Sequence, residues 1–137
     1  MSENGRILLV EDDRVDVMTV QRALSKHRIK ARLFVARTAT EALAMLRGEG
    51  AAKIDPPPAL ILLDLNLPRM SGIDFLGELR KDPSLRDLSV SALTSSNEPN
   101  DRAAAFRYEV EDYVVKPHSF DEFATAIKTV ITDALEQ

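Results

Sequence analysis

The chain alternates short, mostly apolar runs with longer segments whose apolar residues recur at helical spacing. The apolar runs cover residues 7–10, 31–35, 59–63, 88–93 and 113–115. Runs that are apolar on both faces are typical of strands in a parallel sheet that is covered on both sides. The third run is the most apolar, so we expect it at the centre of the sheet. The second contains Arg32, and we expect it nearer an edge.

A segment with helical periodicity follows each apolar run. The predicted helices cover residues 14–27, a segment from Thr38 to Gly48, a segment around Phe75 to Leu79 that ends at Asp82, a segment around Ala103 to Phe106, and residues 120–135. Asp13 is a predicted N-cap, and Thr38 with Glu41 forms a predicted capping box. Five successive βα units predict an α/β fold, in which helices cover both faces of a parallel sheet.

Composition narrows the function classes. The chain has 137 residues, which predicts one domain over residues 1–137 with a core over about residues 6–135. It has no cysteine and only two histidines, which excludes disulfides, thiolate sites and multi-histidine metal sites. A net charge of −4 argues against a nucleic-acid partner. The polar N-terminus predicts no signal peptide, and no apolar run reaches the roughly 20 residues that span a bilayer. We therefore expect a cytoplasmic protein with no membrane partner.

Polar residues stand directly after four of the predicted strands, where ligands bind in such sheets. They are Glu11, Asp12 and Asp13, then Asp64, Thr94 and Lys116. Taken singly, each has an ordinary explanation as a helix cap, a loop residue or a turn residue. Taken together, carboxylates that crowd one crevice repel each other unless a hard cation such as Mg²⁺ neutralises them. Acids for a metal, a hydroxyl and a cation are the parts of a phosphoryl-transfer site.

The segments that carry these residues resemble the response regulator receiver domain of two-component signalling. The matching sequences are LLVEDD from Leu8, LLDLNLP from Leu62 with Ser71-Gly72, LTS from Leu93, and DYVVKP from Asp112. The resemblance implies a flavodoxin-like, doubly wound (βα)5 fold whose five-stranded parallel sheet has the order 2-1-3-4-5. The finer pattern, with its proline-rich approach to the third strand, is similar to small regulators that partner phytochrome-type histidine kinases.

The resemblance also implies the chemistry at the strand ends. Asp64 would be the phosphoacceptor, receiving the phosphoryl group from a histidine of a sensor kinase. Asp12, Asp64 and the backbone carbonyl of Asn66 would bind Mg²⁺ directly. Glu11 would act mainly through a bound water molecule. The protein would be a phosphoacceptor with at most weak self-dephosphorylation, and not an enzyme.

A second group of residues would respond to the phosphoryl group. Lys116 would pair first with Asp64 and then with phosphoryl oxygens. Thr94 would move to hydrogen-bond the phosphoryl group, and Tyr113 would swing inward as Thr94 leaves its resting place. Pro117 would follow a cis peptide bond.

The output is predicted at the surface formed by helix 4, strand 5 and helix 5. We expect a homodimer there, because Val130, Ile131 and Leu135 add apolar surface near the end of the last helix. The alternative is that these residues simply complete the core. Passing the phosphoryl group to another histidine, as a phosphorelay intermediate, is a second possible output. The segment from Tyr108 to Asp112 lacks the glycine that the family usually has before strand 5.

Two other classes remain as alternatives. In phosphatases with an aspartate nucleophile, a second catalytic Asp stands two residues after the first, and position 66 here is Asn. Flavodoxin-like cofactor binders cradle phosphate in a loop rich in Ser, Thr or Gly after strand 1. Here that loop is Glu-Asp-Asp-Arg over residues 11–14, which would repel phosphate without a metal.

Overall fold

The computed structural model describes residues 5–136, so residues 1–4 and 137 of the predicted domain lie outside the described part. Its strands are β1 (Gly5–Val10), β2 (Ala31–Ala36), β3 (Leu60–Leu63), β4 (Val90–Thr94) and β5 (Asp112–Val115). All neighbours are parallel, in the order β2-β1-β3-β4-β5. The predicted fold class and strand order are therefore confirmed. The central β3 is buried throughout, whereas Ala36 is the one buried residue of the edge strand β2, as predicted.

The helices cover both faces of the sheet and produce a core on each side. They are α1 (Arg14–Lys26), α2 (Ala39–Arg47), α3 (Gly72–Lys81), α4 (Pro99–Arg107) and α5 (Phe120–Leu135). Leu8 and Val10 of β1 pack toward α2 and α3, whereas Ile7 and Leu9 pack toward α1 and α5. Because successive residues of a strand point to opposite faces, β1 must be apolar at every position.

Both predicted helix caps are present. Asp13 Oδ1 accepts hydrogen bonds from the backbone N–H groups of Val15 (2.8 Å) and Asp16 (3.3 Å). Thr38 Oγ1 accepts one from Glu41 N at 3.0 Å. The N-cap Asp13 lies three residues after Val10, the last residue of β1, and α1 begins at the next residue, Arg14. It therefore holds the start of α1 close to the carboxyl end of the sheet.

The apolar residues near the end of α5 complete the core. Val130 and Ile131 are buried, and Leu135 packs against the same cluster. Their burial agrees with the alternative that these residues complete the core. The three residues therefore do not supply the apolar excess from which a dimer was inferred, and the homodimer stays a prediction.

Helix α4 has little apolar packing against the sheet. Ala105 is the one buried residue of this helix, and the N-cap Glu98 makes no side-chain capping bond. The remaining residues of α4 are half-buried or exposed, including the large side chain of Phe106. Little apolar burial therefore fixes the helix to the sheet.

Arg80 of α3 holds the C-terminal end of α4 instead. Its guanidinium donates hydrogen bonds to the backbone carbonyls of Tyr108 (2.8 Å), Glu109 (3.3 Å), Arg86 (2.8 Å) and Leu88 (2.8 Å). The first two carbonyls belong to the turn before β5, and the other two to the segment before β4. β4 begins at Val90, two residues later than the predicted run. Glu109 has φ 64° and takes the left-handed conformation in the turn that lacks glycine.

Candidate functional site

Three carboxylates meet where β1 and β3 end. Glu11 and Asp12 follow β1, and Asp64 follows β3, which lies next to β1 with Val10 opposite Leu63. One oxygen from each carboxylate lies within 4.8 Å of the other two. Glu11 and Asp64 are buried and Asp12 is exposed, so the cluster is open to solvent on one side.

The cluster fits a hard divalent cation. All its donors are oxygens, and the crowded negative charges are costly without a cation. The backbone N–H of Asn66 donates a hydrogen bond to Asp64 Oδ1 at 3.0 Å. This bond holds residue 66, whose backbone carbonyl is a predicted metal ligand, close to the Asp64 carboxylate. The side chain of Asn66 is turned toward Ser95, with Nδ2 3.4 Å from the Ser95 hydroxyl.

Gly72 lets the loop after β3 fold closely against the strand end. A Cβ atom at this position would lie 2.6 Å from Leu65 Cα and 2.7 Å from the carbonyl oxygen of Asp64. The Gly72 N–H donates to the Leu65 carbonyl at 3.1 Å. Because both neighbouring atoms belong to the backbone, a side chain here would displace the segment that carries Asp64.

Lys116 from the end of β5 reaches across the pocket to three carboxylates. Its Nζ lies 2.6 Å from Glu11 Oε1, 2.7 Å from Asp16 Oδ2 and 3.3 Å from Asp64 Oδ2. Its side chain is only 11% exposed. The structure therefore brings Lys116 together with Glu11 and Asp64, and adds Asp16, an acid of α1 that is absent from the predicted set of strand-end residues.

Burial and pairing change the pKa values of two of these groups. Burial is the largest effect on Glu11 and raises its pKa to about 7, although the hydrogen bond from Lys116 acts in the opposite direction. Burial would lower the pKa of Lys116, but hydrogen bonds to Asp16 and Glu11 and the nearby charge of Asp64 outweigh it. The Lys116 pKa is therefore raised above its ordinary value, so the ammonium stays charged at neutral pH.

Thr94 and Tyr113 meet at the loop after β4. Thr94 is fully buried, and its hydroxyl oxygen accepts a hydrogen bond from Ser96 N at 3.2 Å. The Tyr113 ring is packed inward, beneath the guanidinium of Arg102 at 5.1 Å from the ring centroid. Burial raises the pKa of the Tyr113 hydroxyl above its ordinary value.

The predicted cis bond before Pro117 is wrong. In the described residues, the one cis peptide bond is Asp55–Pro56, so the Lys116–Pro117 bond is trans. The trans form is favoured by about 0.5–1 kcal/mol even before proline, so a Lys-Pro pair does not determine the isomer. Lys116 reaches the three carboxylates with this bond in the trans form.

Comparisons with known proteins agree with this geometry. The sequence profile of the response regulator receiver domain matches residues 7–128. Response regulator Rcp1 from Synechocystis is 34% identical over 130 residues, which are 95% of this chain and 88% of Rcp1.

Two solved structures are similar over nearly the whole chain. The phosphorylated cyanobacterial phytochrome response regulator RcpA has a TM-score of 0.88 and 32% identity, covering 96% of this chain and 94% of RcpA. The Mn²⁺-bound form of Rcp1 has a TM-score of 0.87 and 33% identity, covering 97% of this chain and 96% of that one.

Within residues 5–136, no helix combines the length and apolar character needed to cross a membrane.

Proposed function

Because this chain belongs to the response regulator receiver domain family, we propose that it accepts a phosphoryl group on Asp64 from a histidine of a sensor kinase. One observation carries the proposal: the Asp64 carboxylate belongs to the acidic cluster and also lies 3.3 Å from Nζ of the Lys116 ammonium. A carboxylate that can bind a divalent cation and also lies beside a fixed positive charge is well situated to attack a phosphoryl group.

In the proposed transfer, a carboxylate oxygen of Asp64 forms a bond to phosphorus. The phosphorus–nitrogen bond to the kinase histidine breaks, and its electron pair returns to the imidazole. Lys116 supplies positive charge beside the carboxylate throughout. Mg²⁺, when bound, would neutralise charge between the carboxylates and the transferring group. Asp12, Asp64 and the carbonyl of Asn66 would hold it, with Glu11 acting through a water molecule.

The proposed switch begins at Thr94. Its hydroxyl turns toward the phosphoryl group and gives up the hydrogen bond from Ser96 N, which is 3.2 Å long in this structure. The loop over residues 95–98 then moves. The Tyr113 ring is already packed inward in this structure, so in place of the predicted inward swing it follows the loop through its hydrogen bond to the Ser96 carbonyl. This shift changes the surface of α4, β5 and α5, where we place the homodimer contact.

The proposed partner is a phytochrome-type histidine kinase. Support comes from the relatives, since RcpA is a cyanobacterial phytochrome response regulator and is 32% identical to this chain. Transfer of the group to a further histidine, as in a phosphorelay, would use the same Asp64. We place the protein in the cytoplasm and assign it no enzymatic activity beyond slow self-dephosphorylation.

Incubation with acetyl phosphate and Mg²⁺, followed by mass spectrometry, tests the phosphoacceptor. The wild type is expected to gain one phosphoryl group and Asp64→Asn none. Asp74→Asn is the matched control, because Asp74 is an exposed Asp in the first turn of α3, and it should be modified normally. An unmodified wild type, or an Asp64→Asn variant that is still modified, would contradict the proposal.

Sedimentation velocity before and after phosphorylation tests the dimer. We expect a concentration-dependent increase in mass toward a dimer. A single monomer at all concentrations, with and without the phosphoryl group, would refute it.

A further inference from the structure

Asp16 contacts Lys116 more closely than the candidate phosphoacceptor does. The distance from Lys116 Nζ is 2.7 Å to Asp16 Oδ2 and 3.3 Å to Asp64 Oδ2. Asp16 lies in the first turn of α1, and its side chain is 29% exposed. It is therefore an additional carboxylate, contributed by a helix, beside a pocket whose other acids follow strands.

The ammonium group of a lysine has three N–H donors, and here three carboxylates take them. The two short contacts, to Glu11 and Asp16, fix the position of Nζ. The third and longest contact is the one to Asp64. A side chain that is 11% exposed has little water to replace a missing partner, so the number of carboxylates determines where the ammonium lies.

We propose that Asp16 is a positioning residue, which keeps the contact of the Lys116 ammonium with Asp64 longer than its contacts with Glu11 and Asp16 and so leaves the Asp64 carboxylate able to bind a divalent cation. The proposal rests on the proposed function, because it takes Asp64 as the phosphoacceptor. Without Asp16, the ammonium would share only Glu11 and Asp64, which both belong to the acidic cluster. The positive charge of Lys116 would then move toward the acidic cluster and would repel a divalent cation bound there.

Isothermal titration of the unphosphorylated protein with Mg²⁺ tests this. Asp16→Asn should weaken Mg²⁺ binding on the order of tenfold, as for neighbouring residues that are energetically coupled. Asp16→Glu keeps the carboxylate and should recover part of the affinity. Asp74→Asn is the matched control: Asp74 occupies the same third helical position in α3 and makes no ion pair with another described residue. It should bind Mg²⁺ like the wild type.

A double-mutant cycle with Lys116→Met separates positioning from direct attraction. If Asp16 acts through Lys116, the loss caused by Asp16→Asn should largely disappear in the Lys116→Met background. An equal loss in both backgrounds would mean that Asp16 attracts the cation directly, and would overturn the proposal. Unchanged Mg²⁺ affinity in the Asp16→Asn single variant would also overturn it.

A crystal structure of the Asp16→Asn variant gives a second measurement that does not depend on how stable Lys116→Met is. We expect Lys116 Nζ to approach Asp64 Oδ2 more closely than 3.3 Å. An unchanged distance would overturn the proposal. If acetyl phosphate modifies the wild type while Asp16→Asn binds Mg²⁺ normally, this inference alone fails. If the wild type is never modified, the proposed function fails whatever the titrations show.

Discussion

The phenolic hydroxyl of Tyr113 donates a hydrogen bond of 2.9 Å to the backbone carbonyl of Ser96. The N–H of the same Ser96 donates to the hydroxyl oxygen of Thr94. The two residues predicted to respond to phosphorylation are therefore joined through one loop residue. Ser96 Oγ also donates to Asp101 Oδ2 at 2.6 Å, which links this loop to the first turn of α4.

Tyr113→Phe should remove the bond to Ser96 while keeping the packing of the ring. We expect the free energy of unfolding to fall by about 0.5–1.5 kcal/mol, the usual net contribution of one hydrogen bond. Hydrogen exchange over residues 95–98 should become faster, and urea denaturation would give the stability change. Tyr108→Phe is the control, because the Tyr108 hydroxyl makes no hydrogen bond with another described residue. An equal loss of unfolding free energy in both variants would contradict a stabilising role for the hydrogen bond from Tyr113 to Ser96.

Arg80→Met should destabilise the protein by about 2–3 kcal/mol, because it leaves partly buried carbonyls without a donor. The turn before β5 should become protease-sensitive, since Arg80 contacts the carbonyls of both Tyr108 and Glu109. Urea denaturation and limited proteolysis would measure these effects. Arg86→Met is the control, because Arg86 is exposed and contributes only its carbonyl; its effect should stay within about 0.5 kcal/mol. Similar stability of the two variants would show that Arg80 holds nothing in place.

Gly72→Ala should both destabilise the fold and slow modification by acetyl phosphate. The added methyl group would overlap the backbone of Leu65 and Asp64, and overpacking of this kind costs about 1–3 kcal/mol. Gly77→Ala is the counterpart within α3, where the new Cβ would lie 3.4 Å from the Tyr108 hydroxyl. It should stabilise the protein by about 0.5–1 kcal/mol, because alanine favours a helix more than glycine does. Thermal unfolding and the rate of modification would separate the two cases.

Asp82→Asn should destabilise the protein near neutral pH, and by less in acid. Hydrogen bonds from Ser84, followed by the Arg47 ion pair, lower the pKa of Asp82 below its ordinary value in the folded state. A carboxylate whose pKa is lower in the folded than in the unfolded state stabilises the protein at pH values above its pKa in the unfolded state. This stabilisation is lost as the pH falls through the pKa of the folded state. Urea midpoints of wild type and variant should therefore begin to converge below about pH 5 and continue to converge as the pH falls through the lowered pKa of Asp82. A constant gap would exclude a role for ionised Asp82.

Much of the fold could be predicted because each apolar run is short and followed by a helical pattern, even where Arg32 or Ser91 interrupts the run. The caps at Asp13 and Thr38 could be predicted as well, since capping depends on residues only a few positions apart. The strand order came from the resemblance, and the adjacency of β1 and β3 then placed Glu11 and Asp12 beside Asp64. Local periodicity and strand-end chemistry therefore selected the acids, and the strand order implied by the resemblance was needed to bring them together.

Asp16 and Arg80 could not be found in this way. In the sequence, an acid in the first turn of a helix and a base in the last turn both look like ordinary partners of the helix dipole. Their real partners, Lys116 and the carbonyl of Tyr108, are distant along the chain and depend on tertiary packing. The sequence shows that no glycine stands before β5. It does not show that Glu109 takes the left-handed conformation in the turn there.

The groups around the Asp64 carboxylate come from separate strands, with Glu11 after β1, Thr94 in β4 and Lys116 after β5. A chain whose last strand has not yet docked has the acids but lacks the ammonium. Under the proposed function, such a chain would offer a kinase no complete acceptor. Phosphoryl transfer would then be restricted to molecules that have finished folding, so immature copies emerging from the ribosome would not contribute to the signal.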